Sequence, residues 1–149
     1  MTKVKVNQLA LIHLDACIEL DKKTFKGLWT PSQWERELSD PNRICVGAFE
    51  YTTKKLVGIS SGWLVVDELQ ITILAVHPLH LRKGIGNLLL TNLINHSKSL
   101  GINQTKLEVK DTNEAAKALY KKMGFKKKGH RSNFYKDGSN ALIFEKFLG

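Results

Sequence analysis

The stretch ITILAVHPLHLRKGIGNLLLTNLI (residues 71–94) begins as an apolar strand, breaks at Pro78 and continues as a helix. Two cations and two glycines stand at the turn: Arg82, Lys83, Gly84 and Gly86. A helix N-terminus offers free backbone N–H groups and the positive end of the helix dipole. Because glycine has no side chain, a phosphate can approach the backbone closely there. The turn is therefore a candidate pyrophosphate-binding site.

The glycine pattern alone leaves a second interpretation open. A Walker A loop needs GxxxxGK[ST], which the chain lacks, and a dinucleotide fingerprint needs a third glycine where Leu89 stands. A GxG pattern by itself is equally typical of a tight turn whose glycines serve only backbone geometry.

Downstream of the turn the pattern predicts a helix over 84–100 that ends at Gly101. A strand follows at 105–110, and then a short helix that is capped by Asn113 and stopped by Gly124. A hairpin about KDGSN closes the chain over 125–148. The apolar side chains expected to face inward from the long helix are Leu88, Leu89, Leu90, Leu93 and Ile94.

Upstream, VKVNQLAL predicts an opening strand and HLDACIELDKKTF an amphipathic helix. Thr30 and Gln33 form a capping box with Pro31 at the first helical position, and SDPN at 39–42 ends that second helix. Residues 43–76 predict three strands with turns at YTTKK and near 66–68. The order β-α-α-β-β-β-α-β-α-β-β indicates a mixed α/β sheet with helices on both faces.

Composition sets the class of protein. The 149 residues suit one domain, 1–149, and no apolar run has the length of a membrane span or the character of a signal peptide, which indicates a cytoplasmic protein. Cys17 and Cys45 lack metal-like spacing, and two buried thiols are the default interpretation, with a catalytic cysteine the less favoured one. The net charge of +9 favours an anionic partner: a phosphorylated cofactor, RNA or an acidic surface.

The segment 71–94 resembles the acetyl-CoA-binding motif of the GCN5-related N-acetyltransferase (GNAT) superfamily, a strand followed by [QR]xxGxG/A and a long helix. LEVKDTNEAAKALYKKMGFKKKGHRSNFY and the later NALIF resemble LEVRxSNxxAxxLYxxxGFxxxGxRxxYY and DALIM of the bacterial ribosomal-protein-alanine N-acetyltransferases, the RimI family. The resemblance extends over residues 44–147, and more loosely over GLWTPSQWEREL. It implies the GNAT fold, a mostly antiparallel sheet of about seven strands.

The resemblance implies acetyl-CoA as co-substrate and no metal. The strand before the turn would pair its backbone with the pantetheine amides, a β-bulge would part the strands there, and one peptide unit would hold the thioester oxygen. Asn113, first a helix cap, would also contact the cofactor. The cofactor-binding residues so implied are Leu74, Ala75, Val76, Arg82, Lys83, Gly84, Ile85, Gly86, Asn87 and Asn113.

This chain departs from the family pattern at three places. Leu81 replaces the usual Gln or Arg of the phosphate loop, so one side-chain contact to the pyrophosphate is missing. Ile73 stands where many members carry Asn, and Phe134-Tyr135 where many have Tyr-Tyr. The backbone amides of the loop remain.

Two residues match the catalytic positions of the family. Strand alternation separates Glu108 from Leu107 and Val109, and spacing alone favours an exposed Glu paired with Lys106 or Lys110. Periodicity alone likewise favours Tyr120 as a core aromatic. By resemblance, Glu108 is the proton acceptor and Tyr120 the proton donor to the departing sulfur.

Aromatic residues are candidates for the acceptor site. Tyr135 in the final hairpin is the candidate contact for the substrate N-terminus. Phe25, Trp29 and Trp34 suit a substrate groove, although core packing is the default for at least two of them.

The leading hypothesis is direct acetyl transfer from acetyl-CoA to a protein N-terminus, namely the N-terminal alanine of a small-subunit ribosomal protein. Another protein N-terminus, a lysine or a small amine remains an alternative acceptor, and so does a domain that binds CoA or RNA without turnover. The run KKMGFKKKGHR is typical of a solvated face, but it also suits CoA phosphates or RNA. No membrane partner and no direct DNA binding are expected.

Overall fold

A computed structural model describes residues 3–149, in which seven strands form one sheet. The strands are β1 (Val4–Gln8), β2 (Arg43–Glu50), β3 (Leu56–Val65), β4 (Glu68–Val76), β5 (Gln104–Lys110), β6 (Lys126–Arg131) and β7 (Ala141–Phe147). Their spatial order is β1-β2-β3-β4-β5-β7-β6. The β4–β5 pair is parallel and the other five neighbouring pairs are antiparallel.

Four α-helices cover the two faces of this sheet. They are α1 (Leu14–Thr24), α2 (Pro31–Ser39), α3 (Ile85–Ser99) and α4 (Glu114–Lys122), and short 3-10 turns lie at Leu11–His13 and Pro78–His80. One buried cluster joins Cys17, Leu20 and Trp34 of α1 and α2 to the sheet, and a second cluster packs α3 and α4 on the other face. The expected mixed, mostly antiparallel sheet with helices on both faces is confirmed. None of the helices described within residues 3–149 has the length and apolar composition needed to cross a bilayer.

The inward apolar face of α3 differs from the predicted one at two residues, since it includes Ile85 and leaves out Leu88. Ile85, Leu89, Leu90, Leu93 and Ile94 are buried, whereas Leu88 is 42% exposed. The buried positions recur at intervals of three to five residues along one stripe, and Leu88 lies on its flank. The prediction that Leu88 faces the core was therefore wrong.

Local backbone chemistry sets the ends of the helices as predicted. The Thr30 hydroxyl accepts from the Gln33 N–H at 3.2 Å, and the Gln33 side chain accepts from the Thr30 N–H at 2.7 Å. The Asn113 side chain accepts from the Ala116 N–H at 3.1 Å. Gly101 and Gly124 have positive φ after α3 and α4.

Two predicted strand boundaries need correction. The opening strand ends at Gln8 rather than continuing through Leu11, because a 3-10 turn begins at Leu11. The final hairpin turns over residues 132–140 rather than about KDGSN alone. Within this connection the Asn133 N–H donates to the Asn140 side chain, which stabilises the wider loop.

The sheet opens between β4 and β5. Their parallel pairing runs only from Glu68 with Gln104 to Ile71 with Leu107, although both strands continue. On its other side β4 stays paired with β3 as far as Val76, with a bulge at Thr72, whose hydroxyl donates to the Ser61 carbonyl. Since the bulge adds one residue, the side-chain alternation of β4 reverses after it. Because the pairing with β5 ends at Ile71, the backbone groups of β4 beyond the bulge face an opening on that side instead of a neighbouring strand.

Candidate active site

A groove of about 850 Å³ runs between the end of β4, the start of α3 and α4. It collects eight of the residues implied to bind the cofactor: Leu74, Val76, Arg82, Gly84, Ile85, Gly86, Asn87 and Asn113. Ala75 does not line the groove, because its side chain is buried and alternation directs it away from the face of Leu74 and Val76. Lys83 is exposed beside the turn and also lies outside the lining.

The turn presents backbone donors to this groove. Gly84 is the N-cap of α3 with φ of 79°, a left-handed conformation that favours glycine. The first helical bond runs from the Leu88 N–H to the Gly84 carbonyl, so the N–H groups of residues 85–87 have no acceptor within the helix. The first turn of α3 contains no acidic residue, and Arg82 and Lys122 add positive charge to the groove. This arrangement fits a pyrophosphate.

The absence of a side chain at Gly86 keeps the groove open. A Cβ at this position would lie 3.5 Å from Leu119 Cδ2 and 3.8 Å from Leu74 Cδ2, in ordinary contact with two walls of the groove. A larger side chain would stand in the space between α3, α4 and β4. The two glycines therefore serve different purposes: Gly84 supplies a backbone conformation, and Gly86 supplies room.

A second cavity, of about 280 Å³, lies where β4 and β5 part. It shares Leu74, Asn113 and Ala116 with the groove, so the two spaces adjoin. Glu108, Tyr120 and Tyr135, which are far apart in the sequence, all line this cavity. Its arrangement sets a carboxylate and two phenols at the inner end of the groove.

Glu108 projects from β5 on the less buried side of the strand, where its side chain is 29% exposed. Its ion-pair partner is Arg131 of β6, with Nη2 at 3.4 Å from Oε1. Lys110, one of the two partners expected from spacing, pairs instead with Asp137 at 2.6 Å. The carboxylate is thus a wall of the cavity with a cation from the edge strand beside it.

Tyr120 is a core aromatic that also borders the cavity. Its residue is 7% exposed, and its ring packs against Phe125 and Phe144 with centroids 5.8 Å and 6.4 Å away. It also lines the cavity. Burial raises the pKa of the Tyr120 phenol to about 12, so the group is protonated at neutral pH. A protonated phenol at this place has a proton available for donation.

Tyr135 lies in the loop between β6 and β7 and faces the same cavity. Burial raises the pKa of its phenol, and the negative charge of Glu108 raises it further. The Lys110 ammonium lies 5.6 Å from the centre of the ring, and Phe134 packs edge-on against it at 5.2 Å. Tyr135 and Glu108 therefore border the same cavity.

The aromatic residues in the first third of the chain divide between the core and the cavity, as the sequence interpretation allowed. Trp34 is fully buried, and Trp29 packs against it at 4.7 Å. Phe25 is 42% exposed and lines the cavity, together with Leu28. Two aromatics thus belong to the core and one to the site.

Sequence reasoning missed Arg131 beside Glu108, Leu28 at the cavity, and Leu119 and Lys122 in the groove. Arg131 lies in a basic run that is typical of a solvated face. Its place beside Glu108 follows from the pairing of β6 with β7 and of β7 with β5. For Lys122, its helical spacing of three residues from Leu119 and seven from Ala115, which also line the groove, was an available signal.

Within residues 3–149 no group of three or more His, Cys, Asp or Glu side chains is placed to hold a metal ion. Cys17 and Cys45 are both buried and unpaired by disulfide. Burial raises the pKa of the Cys17 thiol to about 12 and that of the Cys45 thiol as well. Thiols in this state are poor nucleophiles.

Comparison with known proteins places these features in a family. Residues 13–125 match the family model described as Acetyltransferase (GNAT) family. The chain is 36% identical to the [Ribosomal protein bS18]-alanine N-acetyltransferase of Escherichia coli K12, over 87% of this chain and 86% of that one. It is 34% identical to the N-alpha-acetyltransferase RimI of Mycobacterium tuberculosis, over 94% of this chain and 91% of that one.

Solved structures agree in fold. The crystal structure of the ribosomal-protein-S18-alanine N-acetyltransferase from Escherichia coli superposes with a TM-score of 0.89 at 25% identity, over 99% of this chain and 95% of that one. Arabidopsis thaliana NAA60, solved in complex with acetyl-CoA, superposes with a TM-score of 0.86 at 15% identity, over 98% and 99% of the two chains.

Proposed function

This chain belongs to the acetyltransferase (GNAT) family and is an acetyl-CoA-dependent N-acetyltransferase, and we propose that its acceptor is the N-terminal α-amine of a protein. More narrowly, the acceptor is the N-terminal alanine of a small-subunit ribosomal protein. The observation that carries the proposal is the meeting of the groove with a small cavity that holds a carboxylate and a protonated phenol. Relatives named for this activity support the narrower acceptor.

The groove provides the contacts that a CoA molecule needs. The N–H groups of residues 85–87 and the cations Arg82 and Lys122 suit the pyrophosphate, and the open edge of β4 suits the pantetheine amides. Leu81 lies in the groove lining as well, so an apolar side chain replaces a polar contact there. Bound acetyl-CoA supplies an activated acetyl thioester.

The cavity residues account for the proton movements of the reaction. Glu108 accepts a proton from the acceptor ammonium, which frees the lone pair that forms the new N–C bond. Tyr120 donates its proton to the sulfur as the C–S bond breaks, and the second proton, which the nitrogen loses as it becomes an amide, restores the phenol. Tyr135 lies beside Glu108 and contacts the incoming peptide. Both thiols are buried with raised pKa values, which argues against a cysteine acyl-enzyme and supports direct passage of the acetyl group to the amine.

The apolar side of the cavity suits an apolar first residue on the acceptor, and relatives named for alanine acetylation support alanine. Phe25 and Leu28 form an apolar side of this space, and Tyr135 lies on another side. An alanine methyl group fits such a wall without requiring a polar partner. A ribosomal acceptor also implies that the enzyme works in the cytoplasm, and RNA contact through the basic surface stays a prediction.

A peptide panel tests the acceptor. Four short peptides would be identical except at the N-terminus: free Ala, free Leu, free Glu, and a blocked N-terminus with a free lysine inside the chain. We expect CoA release and addition of one acetyl group only to the peptide with free alanine. Acetylation of the lysine in the blocked peptide would contradict an N-terminal acceptor, and equal rates on the three free termini would contradict selection for alanine.

Gly86→Val should weaken acetyl-CoA binding by about tenfold or more, because the added side chain occupies the groove between Leu119 and Leu74. Titration calorimetry with CoA measures the change, and the KM for the peptide at saturating acetyl-CoA should move much less. Asn92→Val is the matched control, since it adds the same side chain at an exposed position of α3. An unchanged affinity for CoA in Gly86→Val would contradict the assignment of the groove.

A further inference from the structure

One side of the acceptor cavity is formed by the loop between α1 and α2, residues 25–30. Phe25 and Leu28 of this loop reach the cavity and are 42% and 48% exposed. A loop with two half-exposed apolar side chains has little packing of its own to fix it. Its position therefore depends on what its backbone is attached to.

The attachment is the side chain of Asp21, in the last turns of α1. This carboxylate is 2% exposed and has three donors around it. Oδ1 accepts from the Leu28 N–H at 2.8 Å, and Oδ2 accepts from the Trp29 N–H at 3.0 Å and from Trp34 Nε1–H at 2.8 Å. Hydrogen bonds to a charged acceptor are stronger than neutral ones, and they offset the cost of burying the charge.

The loop conformation needs such an attachment. Lys26 has φ of 59° and Gly27 has φ of 93°, so two consecutive residues are left-handed and one of them is not glycine. A left-handed non-glycine residue is strained and persists where its surroundings hold it in place. The Trp29 ring also packs on the Trp34 ring, with centroids 4.7 Å apart. Trp34, whose Nε1–H donates to Asp21, therefore supports the loop by its ring as well.

We propose that Asp21 is a positioning residue for the acceptor: through the backbone of Leu28 and Trp29 it sets the apolar wall against which the first residue of the peptide packs. This inference rests on the proposed function in one respect, namely that the occupant of the cavity is a peptide N-terminus. Two of the three carboxylate bonds run to loop backbone, and the third runs to the tryptophan under the loop. Loss of the carboxylate releases the wall while leaving the groove, Glu108 and Tyr120 in place.

Asp21→Asn is the direct test, because an amide keeps the shape but puts an N–H₂ group where donors must be accepted. We expect the KM for the peptide to rise by about tenfold, the scale of one lost hydrogen bond to a charged group, with kcat and the KM for acetyl-CoA within about twofold. Asp15→Asn, which removes the same charge from an exposed position of α1, should change none of these values. Trp34→Phe removes the Nε1–H donor together with part of the buried indole ring, keeps both backbone bonds to Asp21, and should shift the peptide KM in the same direction by less.

Amide hydrogen exchange tests the attachment without any substrate. The N–H groups of Leu28 and Trp29 should be protected in the wild type and should exchange at least about tenfold faster in Asp21→Asn. Unchanged exchange at these two residues, or parallel rises in both KM values, would overturn the proposal. If Asp21→Asn does not fold, Trp34→Phe supplies both readouts. If the wild type acetylates no peptide, the proposed acceptor fails, and the exchange experiment still decides whether Asp21 holds the loop.

Discussion

Glu108→Gln is expected to lower kcat by roughly a hundredfold or more at neutral pH while acetyl-CoA affinity stays near its wild-type value. Glutamine fills the same space but cannot take a proton from the acceptor ammonium. The Arg131 cation that loses its partner is half-exposed, so solvent compensates it and the fold is little affected. The fall in kcat therefore reports the lost base rather than lost structure.

The pH dependence of this deficit separates a base from a binding contact. An α-amine has an ordinary pKa of about 8, so above that pH the acceptor loses its proton without help. The difference between wild type and Glu108→Gln should accordingly narrow as the pH rises through that range. Glu19→Gln, at an exposed position of α1, is the matched control. A constant ratio of the two rates across pH would mean that Glu108 is not the proton acceptor.

Tyr120→Phe is expected to lower kcat by roughly ten- to a hundredfold, because the departing sulfur loses its proton donor. The ring keeps its contacts with Phe125 and Phe144, so the melting temperature should hardly change. Since burial raises the pKa of the phenol to about 12, the wild-type kcat should not decline in the range where the α-amine ionises. The phenol is still protonated there.

Steady-state rates of Tyr120→Phe with acetyl-CoA and the free-alanine peptide make the comparison, with thermal unfolding recorded on the same samples. Tyr51→Phe is the control for loss of a phenol, since Tyr51 is half-exposed and lies outside both the groove and the cavity of the site. If Tyr120→Phe kept the wild-type kcat, Tyr120 would be a core aromatic only and not the proton donor.

Much of the secondary structure was predictable because its causes are local. The reciprocal bonds of Thr30 and Gln33, the cap at Asn113 and the left-handed Gly84 each depend on a few adjacent residues. The prediction for Leu88 failed because helical periodicity identifies only an apolar stripe. The packing of neighbouring elements decides which edge of that stripe is covered. Here that edge borders the groove, so Leu88 stays partly exposed.

Residues that are close together along the chain specify the helix starts, the strand-to-helix turn at Gly84 and Gly86, and the family pattern that singles out Glu108 and Tyr120. Long-range packing is what parts β4 from β5 after Ile71 and gathers Glu108 in one cavity with residues of the loop before β7 and of the loop after α1. It also placed Arg131 beside Glu108 and the buried Asp21 under the acceptor loop. These contacts join segments that are far apart along the chain, and they arise from strand order and burial, which no short stretch of residues encodes.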